Sequence, residues 1–140
     1  MKILRSVILF YIGGTAYMIL EFLWRGRSHG SMFLLGGLCF LLVGGGGNKF
    51  RRIPLPFRLL LGSGIITTLE LATGLVCNRD YQVWDYRGVA GNLWGQICPL
   101  FSLLWIPVAL GAIGLYALLA RSLEKIKSGK YLSTFHFRYN

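Results

Sequence analysis

Only five acids stand among the 140 residues, and the stretch from Glu70 to Trp105 gathers most of the chain's unusual polar chemistry. It reads Glu70-x3-Gly74, then Asp80-Tyr81-x2-Trp84-Asp85-Tyr86, then Asn92-x2-Gly95-x-Ile97-Cys98-x3-Ser102-x2-Trp105, with Arg79 and Arg87 inside it. Carboxylates, an amide and phenols at this density can take a cation or proton. Beside an arginine pair they can also act as acid and base on a substrate held by an anionic headgroup. A second polar pair lies earlier. Glu21 and Arg25 are four residues apart, one turn on the same helix face, so carboxylate and guanidinium can meet. The candidate binding residues are therefore Glu70, Asp85, Tyr86 and Asn92 with Glu21 and Arg25. Trp84, Arg79, Arg87, Gln96 and His29, the last able to titrate near neutral pH, are supporting candidates.

Other chemistries lack their residues. No Cys/His spacing matches a zinc site, so neither metal nor cofactor is expected. Cys39 and Cys98 read as small apolar packing residues, and Cys77 has no obvious partner. Gly44–Gly47 is followed by no Gly-Lys-Ser/Thr, which argues against a nucleotide-binding loop. No nucleophile–base pair is evident, and no catalytic residue is assigned.

The elements that must hold these groups are apolar. Hydrophobic residues make up 54% of the chain and charged residues 14%, far from a soluble average. The apolar residues come in four runs, roughly Val7–Trp24, Ser31–Gly47, Leu59–Val76 and Leu93–Ala120, each near the ~17–25 residues that a membrane crossing needs. Backbone amides in hydrocarbon must pair internally, so the runs should be helices. The expected fold is an all-α integral membrane protein of four transmembrane helices.

The net charge of +10 suggests nucleic acid until its placement is considered. Lys2, Arg5, Lys49, Arg51, Arg52, Arg58, Arg121, Lys125, Lys127, Lys130 and Arg138 fall on one side of a four-span arrangement. Arg25, Arg27, Arg79 and Arg87 fall on the other. This is the positive-inside pattern, with both termini cytoplasmic in a cell membrane. The partners it implies are the bilayer and anionic headgroups at the inner face, not nucleic acid.

Along the chain, Met1–Ser6 leads into an uncleaved first span whose Gly13-Gly14-Thr15-Ala16 patch lets another helix approach closely. The four glycines Gly44–Gly47 suit a helix end and a flexible turn. Residues 48–58, with Pro54 and Pro56, form an inner linker between hairpin 1 (about 6–47) and hairpin 2 (about 59–120). Glu70 sits about two turns from the outer end of the third span, where Arg79, Arg87 or Asn92 are its expected partners. The last run is expected to be one kinked or tilted span whose first turns, near Asn92–Gly95, line a polar cavity; a re-entrant start is the alternative. Residues 121–140 read as a basic, aromatic tail along the inner face. Gly13-x6-Leu20-Glu21 recurs as Gly62-x6-Leu69-Glu70, and Gly36-Gly37-Leu38-Cys39 parallels Gly95-Gln96-Ile97-Cys98. Two tandem hairpins in a parallel pseudo-repeat are the reading, with the site at their interface.

Glu70, Gly74, Trp84-Asp85-Tyr86, Asn92, Gly95, Ile97-Cys98, Ser102 and Trp105 together resemble the ABC-transporter type IV, or CmpB-like, family of membrane proteins. The Trp-Asp-Tyr…Asn-x2-Gly-x-Ile-Cys string carries the likeness. In the first half the family's Asn-Arg-Gly-Phe turn is reduced to Arg25-Gly26, and its second-span proline is replaced by Gly36-Gly37. The resemblance implies a small polytopic protein in which Glu70, Asp85, Tyr86 and Asn92 belong to one constellation. The expected function is a transporter or permease-like component with an outer-facing acidic site. A structural or regulatory scaffold for a partner protein, and a membrane-embedded enzyme acting on a lipid or lipid-linked group, are the alternatives, with the enzyme less expected. Four thin helices hardly enclose a pathway alone, so a homo-oligomer or a larger membrane partner is expected.

Overall fold

The computed structural model describes residues 2–128. Within them the secondary structure is helical, with one isolated bridge, Leu93 to Ile97, in place of any strand. Four helices are long and apolar enough to cross a membrane: α1 (Lys2–Arg25), α2 (Gly30–Lys49), α3 (Leu55–Cys77) and a last segment, Pro99–Lys127. That segment is a single turn, Pro99–Ser102, followed by α4 (Trp105–Lys127).

The second helix is the hub. Half of its most apolar stretch is buried, against less than a third for each of the others. Its sequence from Ser31 to Gly47 carries no charge, as suits a helix packed on several sides. Met32, Leu35, Cys39 and Val43 from α2 form the core with Tyr17 of α1, Ile66 of α3, and Ala109 and Ile113 of α4; Trp84 of the outer loop joins them. Outward-facing leucines, isoleucines and phenylalanines remain exposed on every helix, the pattern of a bundle whose solvent is hydrocarbon.

Glycine sets how close the helices come. A Cβ on Gly13 would overlap Phe40, and one on Gly37 would lie 2.6 Å from the Phe10 ring. The Gly13-Gly14 patch is thus where α1 meets α2. The run Gly44–Gly47 lies at the helix end, as expected, but it is not a flexible turn. It continues the helix through a π-helical segment, Phe40–Gly45, and a last α turn, Gly46–Lys49. The reason is packing: Gly44 lies so close to α4 that a Cβ there would be 2.7 Å from Tyr116 Cβ and 2.9 Å from the Ala112 carbonyl.

The uncharged stretch from Gly88 to Ala120 does not form one long span. Trp94 and Gly95 have φ of 51° and 64°, a left-handed backbone incompatible with α-helix. Residues 78–98 therefore fold as a loop between α3 and the last helical segment, which starts only at Pro99. Pro107 falls in the first turn of α4, where a missing N–H is tolerated; the Leu103 carbonyl accepts Ile106 N instead, at 3.2 Å. At the other end of the bundle Arg5 pairs with Glu124 at 2.6 Å, and the Asn48 amide donates to both Gly44 O and Ile113 O at 2.8 Å. The first seven residues expected in the tail belong to α4, which runs to Lys127; the aromatic residues Tyr131, Phe135, Phe137 and Tyr139 lie outside the described residues.

Gly44→Leu should overpack the α2–α4 contact and cost about 1–3 kcal/mol. Gly114→Ala, where no neighbour lies within 4 Å, should be neutral or stabilise by up to about 1 kcal/mol. Thermal unfolding of the two variants in one detergent checks the contrast.

Candidate functional site: a buried glutamate under an outer loop

Glu70 projects from α3 and is 7% exposed. Its two oxygens are each met by an aromatic donor: the Tyr86 hydroxyl donates to Oε1 at 3.3 Å, and the Trp105 indole N–H donates to Oε2 at 3.1 Å. The Tyr17 ring lies 6.2 Å from that of Trp105, and the Tyr86 ring 5.6 Å from that of Phe101. No cation forms a salt bridge with Glu70 among the described residues. Arg79, Arg87 and Asn92, the partners expected from sequence, are all engaged elsewhere.

Their actual roles follow from the loop's need to satisfy its own polar groups. Arg79 donates Nε to Leu75 O at 3.1 Å, covering a carbonyl left open at the end of α3. Asp85 is exposed and clasps Arg87, which donates Nε at 2.9 Å and Nη2 at 2.7 Å to it. Arg87 in turn stacks over the Tyr81 ring at 4.1 Å. These hydrogen bonds from Arg87 hold the Asp85 carboxyl down at about 2 and raise the guanidinium above its ordinary value. Asn92 is a turn residue: it accepts Gly95 N at 2.8 Å and donates to Val89 O at 2.8 Å. His29 caps α2, its Nδ1 accepting the Ser31 amide at 3.2 Å.

The loop is pinned by a residue not singled out from sequence. Asn78 is 1% exposed. Its amide donates to Trp84 O at 2.6 Å and Gln96 Oε1 at 3.1 Å, while its Oδ1 accepts Val83 N at 2.9 Å. Gln96 returns a bond to Asn78 O at 3.0 Å, and Trp84 Nε1 donates to Gln96 O at 2.7 Å. Gly74 makes room for this knot, since a Cβ there would overlap the Gln96 side chain. Asparagine directly after an apolar run is a helix-end signal, and it was the available clue. A Trp N–H inside an apolar segment needs an acceptor, which was the clue for Trp105.

Glu21 and Arg25 do pair, across one turn of α1. They do not bond to Glu70; Arg25 instead donates Nη1 to the Val83 carbonyl at 2.7 Å, tying the outer end of α1 to the loop. Thus the structure joins Glu70 with Tyr86, and Glu21 with Arg25 and the loop, while Asp85 and Asn92 stand apart from the buried carboxylate. Burial first, then neighbouring Glu70, pushes the Tyr86 phenol well above its ordinary value, so it remains a donor at neutral pH. Among the described residues no cluster of His, Cys, Asp or Glu has the arrangement of a metal centre.

Four apolar helices closed over a buried glutamate by a polar loop define a small polytopic membrane protein with one enclosed acidic position. The chain belongs to the family described as Putative ABC-transporter type IV, whose family model matches residues 8–137. No curated protein and no solved structure matches the chain.

Asn78→Leu should strand the Trp84 carbonyl and the Val83 amide, a cost of about 1–3 kcal/mol for each buried group. Faster amide exchange at Val83 and Trp84, with α2 amides unchanged, is the expected signature. The Asp85 carboxyl titrates near 2 in the fold against an ordinary 3.8. Its contribution to the loop is therefore complete above about pH 4 and lost as pH falls through about 2. The Asp85 carboxyl carbon shift should titrate near pH 2, and Arg87→Gln should move that titration up toward 3.8.

Proposed function

We propose that this chain is a component of a membrane transport system whose Glu70 position takes a proton or a small cation from the outer side. The observation that carries the reading is the pairing of Glu70: two neutral aromatic donors and, among the described residues, no cation in a salt bridge with it. A carboxylate within a membrane span is costly unless a partner or a function retains it. Neutral donors orient the group but leave its charge uncompensated, so an exchangeable positive partner completes it. The family's transport-related description agrees with this reading.

The rest of the proposal follows from placement. Lys2, Arg5, the basic linker and the end of α4 lie on the cytoplasmic side, putting both termini inside and the 78–98 loop outside. The hairpins α1–α2 and α3–α4 act as parallel halves, with Arg25 on Val83 O as the outer tie between them. Loosening that tie exposes Tyr86 and then Glu70. A second copy or a larger subunit supplies the remaining wall of the pathway.

A scaffold reading is favoured by one specific observation. Two apolar grooves lie on the helix surfaces, one along α2 and α3 and one beside Lys2–Phe10 and Leu41, and neither is lined by Glu70. Titration separates the two readings. Trp105 reports on Glu70 through its indole N–H, so its fluorescence in proteoliposomes should shift as protons or monovalent cations are added outside. Glu70→Gln should abolish the shift, and Trp105→Phe should remove the signal while leaving ion uptake measurable. A wild-type protein that gives no shift, and no uptake sensitive to Glu70→Gln, would establish the scaffold reading instead.

A further inference from the structure

We propose that the groove along α2 and α3 is a binding site for one anionic phospholipid, its acyl chain in the groove and its phosphate on the basic linker 49–58. The groove is a shallow trough of about 740 Å³, open on one side, and is lined by Leu42 of α2, Ile53 of the linker, and Phe57, Gly64, Thr68 and Leu69 of α3, among others. Its floor is open at Gly64, where a Cβ would meet nothing within 4 Å.

Two observations select the occupant. The first is length. From Phe57 to Leu69 the helix rises about 18 Å at about 1.5 Å per residue. A hydrocarbon core of about 30 Å gives about 15 Å per leaflet, so the groove covers one leaflet and stops. A partner transmembrane helix would need a face twice as long. The second is charge. The groove's end at Ile53 and Phe57 is set among Lys49, Arg51, Arg52 and Arg58, with no acid between them, and among the described residues none of the four is in a salt bridge. Arg58, in the first turn of α3, gives Nη1 to Gly47 O at 2.8 Å and adds a fixed positive charge to the cluster without lining the trough. Zwitterionic lipids carry the same phosphate with a compensating cation, so the cluster prefers the anionic headgroup.

The test uses the full chain in nanodiscs of equal parts phosphatidylglycerol and phosphatidylcholine with identical acyl chains. After detergent extraction, native mass spectrometry reads the lipid retained. One phosphatidylglycerol per chain is expected, enriched over phosphatidylcholine by about tenfold or more. Arg51→Gln with Arg52→Gln should abolish the headgroup preference while a lipid is still retained. Gly64→Leu, which fills the trough and raises helix propensity, should abolish retention altogether without loss of helical signal. Arg58→Gln repeats the first measurement if it folds, and the linker pair decides the matter if it does not. Equal retention of the two lipids by the wild-type chain would overturn the proposal, as would a Gly64→Leu variant that keeps its lipid. Efficient Leu61→Cys cross-linking between two chains, with lipid excluded, would assign the groove to a second copy and also overturn it. Glu70→Gln should leave retention unchanged, so failure here is separate from failure of the transport reading.

Discussion

The loop 78–98 closes one end of the bundle without a helix or strand to satisfy its amides, and one side chain resolves that constraint. Asn78 stands where α3 ends and bonds to the far side of the loop in three directions. Trp84 is drawn inward by the same knot and reaches the α2 core. With Trp84 and Gln96 fixed, Tyr86 falls over Glu70 and Gly95 O accepts Tyr86 N at 2.9 Å. The buried carboxylate therefore owes its cover to a chain of loop geometry that starts outside the site. Replacing Asn78 by aspartate would remove the donors and add a second buried negative charge, whereas serine would be too short to span the loop.

Much of this architecture was legible, because membranes allow few solutions. Four long apolar runs could only be helices, and Glu70 stood out as an acid inside one of them. The chemistry around Glu70 was less legible. Arginines were expected to fold back onto it, yet each found a nearer acceptor: Leu75 O for Arg79, and Asp85 for Arg87. Local pairing won because an i,i+2 or i,i+4 contact orders far fewer residues than a contact across the loop. Trp105 and Tyr17 were hidden for the opposite reason, since aromatics in apolar runs look like packing. Likewise the run Gly44–Gly47 looked like a turn because glycine's freedom is visible in sequence, whereas its small size matters only once Tyr116 is known to press on it.

Glycine and aromatic residues divide the work of the bundle between its two ends. Toward the basic end the spacing is set by glycine against aromatic rings and by the Asn48 bonds to two carbonyls. Toward the loop Glu70 is held by its aromatic donors and the loop by the Asn78–Gln96 bonds, packed close over Gly74. Hydrogen bonds can be exchanged for others at small net cost, while van der Waals overlap cannot. Any rearrangement of the bundle is thus easier at the loop end, with α2 as the fixed axis.

The Glu21–Arg25 pair has a consequence for the order in which the chain is made. The Val83 carbonyl that receives Arg25 is synthesised only after two further helices. Until then α1 must enter the bilayer carrying an acid near its C-terminal end, with no residue of a later helix to compensate it. Because Arg25 is one turn away on the same helix, the two charges neutralise each other locally from the moment the segment becomes helical. The later bond to Val83 uses the other guanidinium nitrogen and leaves the pair intact. A residue that reads as part of a finished site is, during biogenesis, what lets the first helix be inserted alone.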